Sequence, residues 1–360
     1  SDMLDVEQTC KYILSNYNVK NIIVNVYLES TTVYDEEGDK LTKNLHAKVN
    51  GENKVSFYSR YLTVSPSYAF AKIRDAQKDT YLTQTFDVFD VETGAYDKKV
   101  RDVEPIGDIE SYLEKNPIFV NYPHSDIVMT KINETVSSIR RIKEMCDESN
   151  VNLVIVTAPS YYEYLKCFSK EDILDFYTKM AEITPFWDFA SSSISKEPRY
   201  FYDETHFRNA VGKMAIARMF NDISVYYPDD FGEVVTVENV KEHVDDMFDI
   251  INDTNEYTLK VPILMYHHIK EGADLDVTIT PELFEEHIKT LSENGYTGVM
   301  INDLVEYVEK GIPLPEKPIC ITFDDGYLSN YELAFPILKK YNMKATIFVI
   351  GSSIGKDKYK

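Results

Sequence analysis

The sequence predicts an α/β protein whose first part is a three-layer sandwich and whose last part restarts the same β/α alternation. Three observations predict it. Short, β-branched apolar runs alternate with stretches of helical spacing from residue 1 to about 226. The same alternation restarts at 261, and the intervening 227–260 is acidic and lacks long apolar runs. Short buried strands between helices imply a parallel sheet covered on both faces.

In the first segment, Val6 to Tyr17 has helical spacing, with Cys10, Ile13 and Leu14 on one face. Asn21 to Leu28 is a β-branched run that reads as a strand. Residues 30–125 are polar and less regular, and read as an insertion or cap on the sheet. Helical spacing returns over 127–148, through Ile132, Ile139, Ile142 and Met145. Val151 to Thr157 is a second buried strand, ended by Ala158-Pro159. A helix over Ser169 to Thr184, a short strand over Phe186 to Phe189 and a helix over about Phe207 to Phe220 complete the segment.

Residues 227–260 read as an acidic linker. They hold ten acids against two lysines, with a short acidic helix over Val240 to Asn252. These acids lack the alternate spacing and central glycine of an EF-hand loop, so a solvated face is preferred over a calcium site. In 261–360, strands are predicted at Pro262–Tyr266, Tyr296–Met300, Pro318–Phe323 and Ala345–Ile350. Thr280-Pro281 opens a helix as N-cap and first residue, Ile301–Glu309 forms another, and Tyr331–Tyr341 a third with a kink at Pro336.

The bulk numbers bound the function. A length of 360 residues accommodates two or three domains, and 44% hydrophobic content supplies their cores. The formal charge of −22 repels phosphate backbones, so nucleic acid is not an expected partner. Cys10, Cys146, Cys167 and Cys320 are scattered without a Cys-x-x-Cys pair, which argues against a cysteine zinc site; Cys10 and Cys320 read as core residues. No run of about 18 apolar residues offers a membrane span. The chain opens at Ser1-Asp2-Met3 and stops at Lys360, shortly after the strand ending at Ile350, and is read as a piece of a longer parent.

Two constellations carry chemistry. The first is Thr322-Phe323-Asp324-Asp325-Gly326, closing the apolar run Ile319-Cys320-Ile321. Catalytic groups gather at the C-terminal ends of β/α-barrel strands. Neighbours on an extended chain point to opposite sides, so one aspartate is available to a metal and the other to a proton. Asp-Asp-Gly alone is an ordinary turn. Taken with Leu264-Met265-Tyr266-His267-His268-Ile269 and Ala345-Thr346-Ile347-Phe348-Val349-Ile350, it resembles the NodB-type polysaccharide deacetylases over about 100 residues.

That resemblance implies part of a β/α barrel as the fold of residues 261–360. It also implies hydrolysis of acetyl groups on a glycan, an acetylated polysaccharide substrate and an extracellular or cell-envelope setting. Asp325 would ligate a divalent metal, usually zinc, Asp324 would act as general base on metal-bound water, and His267 would line the site. This sequence departs from the family in one respect. No His-x-x-x-His motif follows Asp325, and His287 is the last histidine. About half of the deacetylase domain is therefore expected to be missing. The 360 residues alone are expected to be inactive, with an open barrel that packs on the first segment, pairs with a copy or is disordered.

The second constellation is Tyr202-Asp203-Glu204-Thr205-His206-Phe207. Asp203 and His206, three apart before a helix, are placed so that the carboxylate orients the imidazole as a general base; helix capping by Asp203 or Thr205 is the plain alternative. With Asn209, Gly212 and the apolar helix that follows, this stretch resembles the SGNH (GDSL-like) hydrolases, which implies a flavodoxin-like sandwich. Asp203 and His206 would then be two members of a Ser-His-Asp triad whose serine would precede Ser1, with Ser160 a weaker substitute. Three functions follow. The favoured one is a metal-dependent glycan deacetylase fused to an SGNH-like domain. The alternatives are an SGNH-type O-acyl esterase or acyltransferase and a non-catalytic envelope glycan-binding module.

Overall fold

The computed structural model describes residues 3–32, 106–253, 259–272 and 277–354, with short pieces at 47–51, 53–56, 59, 74, 88–89 and 96–97. It is a mixed α/β structure whose two four-stranded sheets are dominated by parallel pairing.

The first sheet is ordered β1 (Asn21–Val26), β2 (Asn152–Thr157), β3 (Phe186–Asp188) and β4 (Glu233–Val235). The first three strands are parallel and β4 runs antiparallel to β3. Strand alternation decides which side chains go inward. Ile22, Val24 and Val26 are buried, whereas Ile23 between them is 52% exposed. The buried set meets α1 (Met3–Asn16), then, past α2 (Ile109–Lys115), α3 (Ile132–Glu148), α4 (Lys170–Ala181) and, beyond α5 (Asn209–Phe220), α6 (Val240–Asn252). Ser169 caps α4 by accepting from Asp172 N at 3.1 Å.

The acidic stretch 227–260 is more than a linker. It supplies β4 to the sheet and α6 to its core, because Val235, Val240, Val244, Met247 and Ile251 are apolar at the spacing of one strand and one helix face. Its acids occupy the opposite, solvated face. Of the insertion expected over 30–125, residues 30–32 and 106–125 are described; most of the remainder lies outside the described residues.

The second sheet is built around β7 (Pro318–Phe323), whose six side chains are all buried. On one edge β7 pairs with β5 (Ile263–Tyr266). On the other it pairs first with β6 (Thr297–Val299) and then with β8 (Thr346–Ile347), all parallel. The expected strand at 345–350 is thus paired only over two residues, and Phe348, Val349 and Ile350 are 49%, 59% and 39% exposed. Ile321 and Phe323 face α7 (Pro281–Glu293) and α9 (Phe335–Lys340). Thr280 Oγ1 accepts from Leu283 N at 3.3 Å, forming the expected cap of α7. Pro336 does more than kink its helix: residues 330–334 form a π-turn immediately before it. Proline has no N–H for the carbonyl four residues back and its ring crowds that carbonyl, and a π-turn removes both problems.

The two parts share a core. Val299, Cys320 and the helix α8 (Ile301–Lys310) pack with Ile106, Tyr112, Phe119 and Tyr200 of the first part. Ile106 N donates to Glu309 O at 2.5 Å, and Tyr307 Oη donates to Glu197 Oε2 at 2.9 Å. Arg199 lies 5.3 Å from the Tyr307 ring and 3.5 Å from Glu197. Residues 261–354 thus pack on the first segment, one of the three arrangements expected for them.

Candidate active site

Asp324 and Asp325 lie just past the C-terminal end of β7, level with the ends of β5 and β8. Asp324 N donates to Tyr266 O at 2.9 Å, which extends the β5–β7 ladder by one bond. The extended conformation ends there. Asp325 has φ +69° and Gly326 φ +70°. The expectation that the two aspartates diverge by strand alternation therefore does not describe Asp325, whose direction is set by a left-handed turn. That conformation costs an L-residue about 1–2 kcal/mol, least for Asp and Asn. A Cβ on Gly326 would come 2.9 Å from Val349 Cγ1, so glycine is required for both backbone and space.

His267 Nδ1 is 3.4 Å from Asp325 Oδ2, with the side chains 25% and 40% exposed. The sequence placed both residues at this site, and the fold brings them together. Two partners went unnoticed in the sequence. The imidazole of His268 stacks on Tyr327 at 4.5 Å between ring centroids and 2° between planes. Tyr266 Oη lies 3.1 Å from Nδ1 of His287, an exposed residue of α7. Burial pushes the Tyr266 phenol up from its ordinary value.

The second constellation forms a dyad. His206 Nδ1 sits 2.8 and 3.0 Å from the two oxygens of Asp203. Asp203 Oδ1 also accepts from the backbone N–H of Thr205 at 3.0 Å and of His206 at 2.9 Å. The carboxylate thus closes the 203–206 turn and holds the ring, whereas the expected helix cap is not formed: α5 starts behind Arg208 without a side-chain cap. Burial works to raise the Asp203 pKa, but the bonds from His206 and Thr205 outweigh it and hold the carboxyl below its ordinary value. The His206 side chain is 54% exposed. Ser160 is buried, and its Oγ reaches Ala158 O at 3.4 Å.

A third cluster was missed entirely. Asp188, at the end of β3, is 3% exposed and accepts from His243 Nε2 at 2.6 Å, Tyr177 Oη at 3.1 Å and Ala190 N at 3.0 Å, as well as from Thr157 Oγ1. His243 Nδ1 reaches Glu233 Oε2 at 2.9 Å. This cluster joins α6 to the sheet. The only sequence signal for it is an aspartate closing an apolar strand. Cys10, Cys146, Cys167 and Cys320 are all buried free thiols. Among the described residues, no group of three or more His, Cys, Asp or Glu is arranged to hold a metal ion, and no helix is long and apolar enough to cross a membrane.

Comparison with known proteins places the C-terminal segment. Residues 311–360 match the family model described as polysaccharide deacetylase. The chain is 48% identical over 100 residues, 28% of its length, to YxkH of Bacillus subtilis, whose name assigns it provisionally to the polysaccharide deacetylases. It is 37% identical over 91 residues, 25% of its length, to the poly-β-1,6-N-acetyl-D-glucosamine N-deacetylase of Escherichia coli. The chain spans 35% of the first relative and 14% of the second. Among solved structures, a Streptococcus pyogenes deacetylase, PplD, in complex with acetate shares 32% identity, with 28% of this chain and 47% of that one covered at a TM-score of 0.26. The similarity to polysaccharide deacetylases, a family of hydrolases, is thus confined to the C-terminal part of the chain.

Proposed function

We propose that this chain belongs to a hydrolase that removes acetyl groups from an acetylated polysaccharide, with Asp324 as general base, Asp325 as metal ligand and His267 beside it. The observation that carries the reading is the turn holding both carboxylates at the C-terminal edge of a parallel sheet, with His267 at 3.4 Å from Asp325. The names of the relatives support an N-acetylated hexosamine polymer as substrate, and with it an extracellular or cell-envelope setting. In this reaction water adds to the acetyl carbonyl, Asp324 accepts its proton, the C–N bond breaks, and the proton passes to the leaving amine. The products are acetate and a free amine.

Zinc is the metal the resemblance implies, and when bound it would polarise the carbonyl. A catalytic zinc takes three protein ligands. Asp325 and His267 offer two, so the described residues do not complete the site.

The test is acetate release from poly-β-1,6-N-acetyl-D-glucosamine by the protein expressed from its natural reading frame, with and without chelator. Loss of release in Asp324→Asn and Asp325→Asn is expected. Unchanged release in Asp324→Asn would remove the proposed base.

A second reading rests on the dyad at 2.8 Å. We propose that residues 1–226 form an SGNH-like sandwich in which Asp203 orients His206 for an O-acyl esterase or acyltransferase. Turnover of an O-acetylated sugar that survives chelation and is lost in His206→Ala supports this reading. Turnover unaffected by His206→Ala removes it.

A further inference from the structure

Three consecutive residues at the end of β5 grip the carboxylate turn at three points. Tyr266 O accepts from Asp324 N at 2.9 Å, His267 Nδ1 lies 3.4 Å from Asp325, and the His268 ring covers Tyr327 at 4.5 Å. The three grips are unequal. The first is an ordinary ladder bond. The second is at the long limit of a hydrogen bond and weak. The third closes the far end of the turn, beyond the two left-handed residues.

We infer that His268 is a positioning residue for the Asp324–Asp325 turn, acting through its face-to-face contact with Tyr327. The inference rests on the deacetylase reading for its role, and on geometry alone for the contact. Two consecutive positive φ angles, at Asp325 and Gly326, are held only where surrounding contacts over-determine them. Tyr327 is 42% exposed, so burial does not fix it. His268 is fixed: it pairs with Thr278 in a short parallel bridge, and its neighbour Ile269 is fully buried. A flat ring on an anchored strand therefore clamps a flat ring on the turn. Tyr327 O in turn accepts from Asn330 N at 3.0 Å, so the clamp also sets where the following helix starts.

Amide hydrogen exchange tests this without requiring turnover. The reporters are the amides of Asp324, bonded to Tyr266 O where the turn begins, and of Asn330, bonded to Tyr327 O just past it. In His268→Ala we expect both to exchange about fivefold faster, the effect of losing one aromatic contact, with the global unfolding midpoint unchanged. In His268→Phe, which keeps the flat face, wild-type exchange is expected. Wild-type exchange in His268→Ala overturns the inference, as does equally fast exchange in His268→Phe. Should His268→Ala not fold, Tyr327→Leu against Tyr327→Phe gives the same comparison from the other ring. Acetate release measured in parallel separates the two ideas. No release by the wild type removes the deacetylase reading and leaves the exchange result intact. Where release is seen, the alanine variant is expected to lose kcat at unchanged KM, and the phenylalanine variant to regain it; a change in KM alone overturns the positioning role.

Discussion

His243 Nε2 donates to Asp188 Oδ2 at 2.6 Å, tying helix α6 to the end of strand β3 in a nearly dry setting, with side chains 11% and 2% exposed. Burial alone would lower the His243 pKa. The bonds to Asp188 and Glu233 more than reverse it and push it up to about 9. Burial would likewise raise Asp188, but its bonds to His243 and Thr157 hold it below the ordinary carboxylate value. A histidine raised in the folded state contributes stability that is complete below its unfolded value of about 6.5 and lost as pH rises through the folded value. The depressed aspartate contributes above about 3.9, and that contribution is lost as pH falls through its folded value.

The pair therefore predicts a stability plateau between about pH 4 and 6.5 and a decline toward pH 9. The decline amounts to about 3 kcal/mol at most, because Glu233 is 56% exposed and its share is screened. Urea unfolding at pH 6, 8 and 9.5 measures it. His243→Gln should flatten the decline while lowering stability at pH 6, since Asp188 loses its charged partner. An equally steep decline in that variant would show that other groups set the alkaline limit.

The shared core gives a second prediction. Tyr307 Oη and Glu197 Oε2 are buried partners at 2.9 Å. Tyr307→Phe leaves the carboxylate short of one donor and should cost about 1–3 kcal/mol. Gly311, which ends α8 at φ +65°, should tolerate substitution still less. A Cβ there would stand 2.3 Å from Arg199 O, so Gly311→Ala must displace backbone. Both variants are expected to lower the unfolding midpoint of the whole protein; a shift confined to one of two separate transitions would contradict a shared core.

The dyad and its turn separate by burial. Asp203→Ala removes an acceptor of two backbone N–H groups in the turn and should cost about 1–2 kcal/mol. His206→Ala removes a ring that is 54% exposed, and should change stability by less than about 1 kcal/mol. Chemical denaturation of the two variants checks the order, and the reverse ranking would mean that the imidazole, not the carboxylate, organises the turn.

The carboxylate turn gives the fourth. Asp325→Asn keeps a side chain that tolerates the left-handed region, so stability should hold within about 0.5 kcal/mol. Gly326→Ala should lose about 1–2 kcal/mol, since its φ of +70° and its contact with Val349 both exclude a Cβ. Thermal unfolding distinguishes them, and equal stability of the two would show that the turn relaxes.

What was legible in the sequence was local. The run Pro318–Phe323 reads as a doubly buried strand because all six positions are apolar or small enough to bury, and Thr280-Pro281 reads as a helix start because the two residues satisfy and avoid N–H groups respectively. Asp203 and His206 were legible because they are three residues apart. Asp188 and His243 are 55 apart and meet only once β4 and α6 have joined the sheet, so no window of sequence contains the cluster. Within 227–260 the helix Val240–Asn252 was legible from its spacing, whereas the three-residue strand β4 and the docking of both onto the sheet were not. The left-handed Asp325 was invisible because strand alternation was extended one residue too far.

The joint between the two parts also bears on how such a protein can be rearranged. A sequence boundary near residue 260 suggests a place to cut, swap or duplicate modules. The packing does not respect it: a fragment beginning there would bare Val299, Tyr307, Leu314 and Cys320, while one ending there would bare Tyr112, Phe119 and Tyr200. Each half has become part of the other's solvent. Recombination at this point should therefore yield sticky, poorly folding halves, and any lineage that exchanged one half would have had to rebuild the surface of the other.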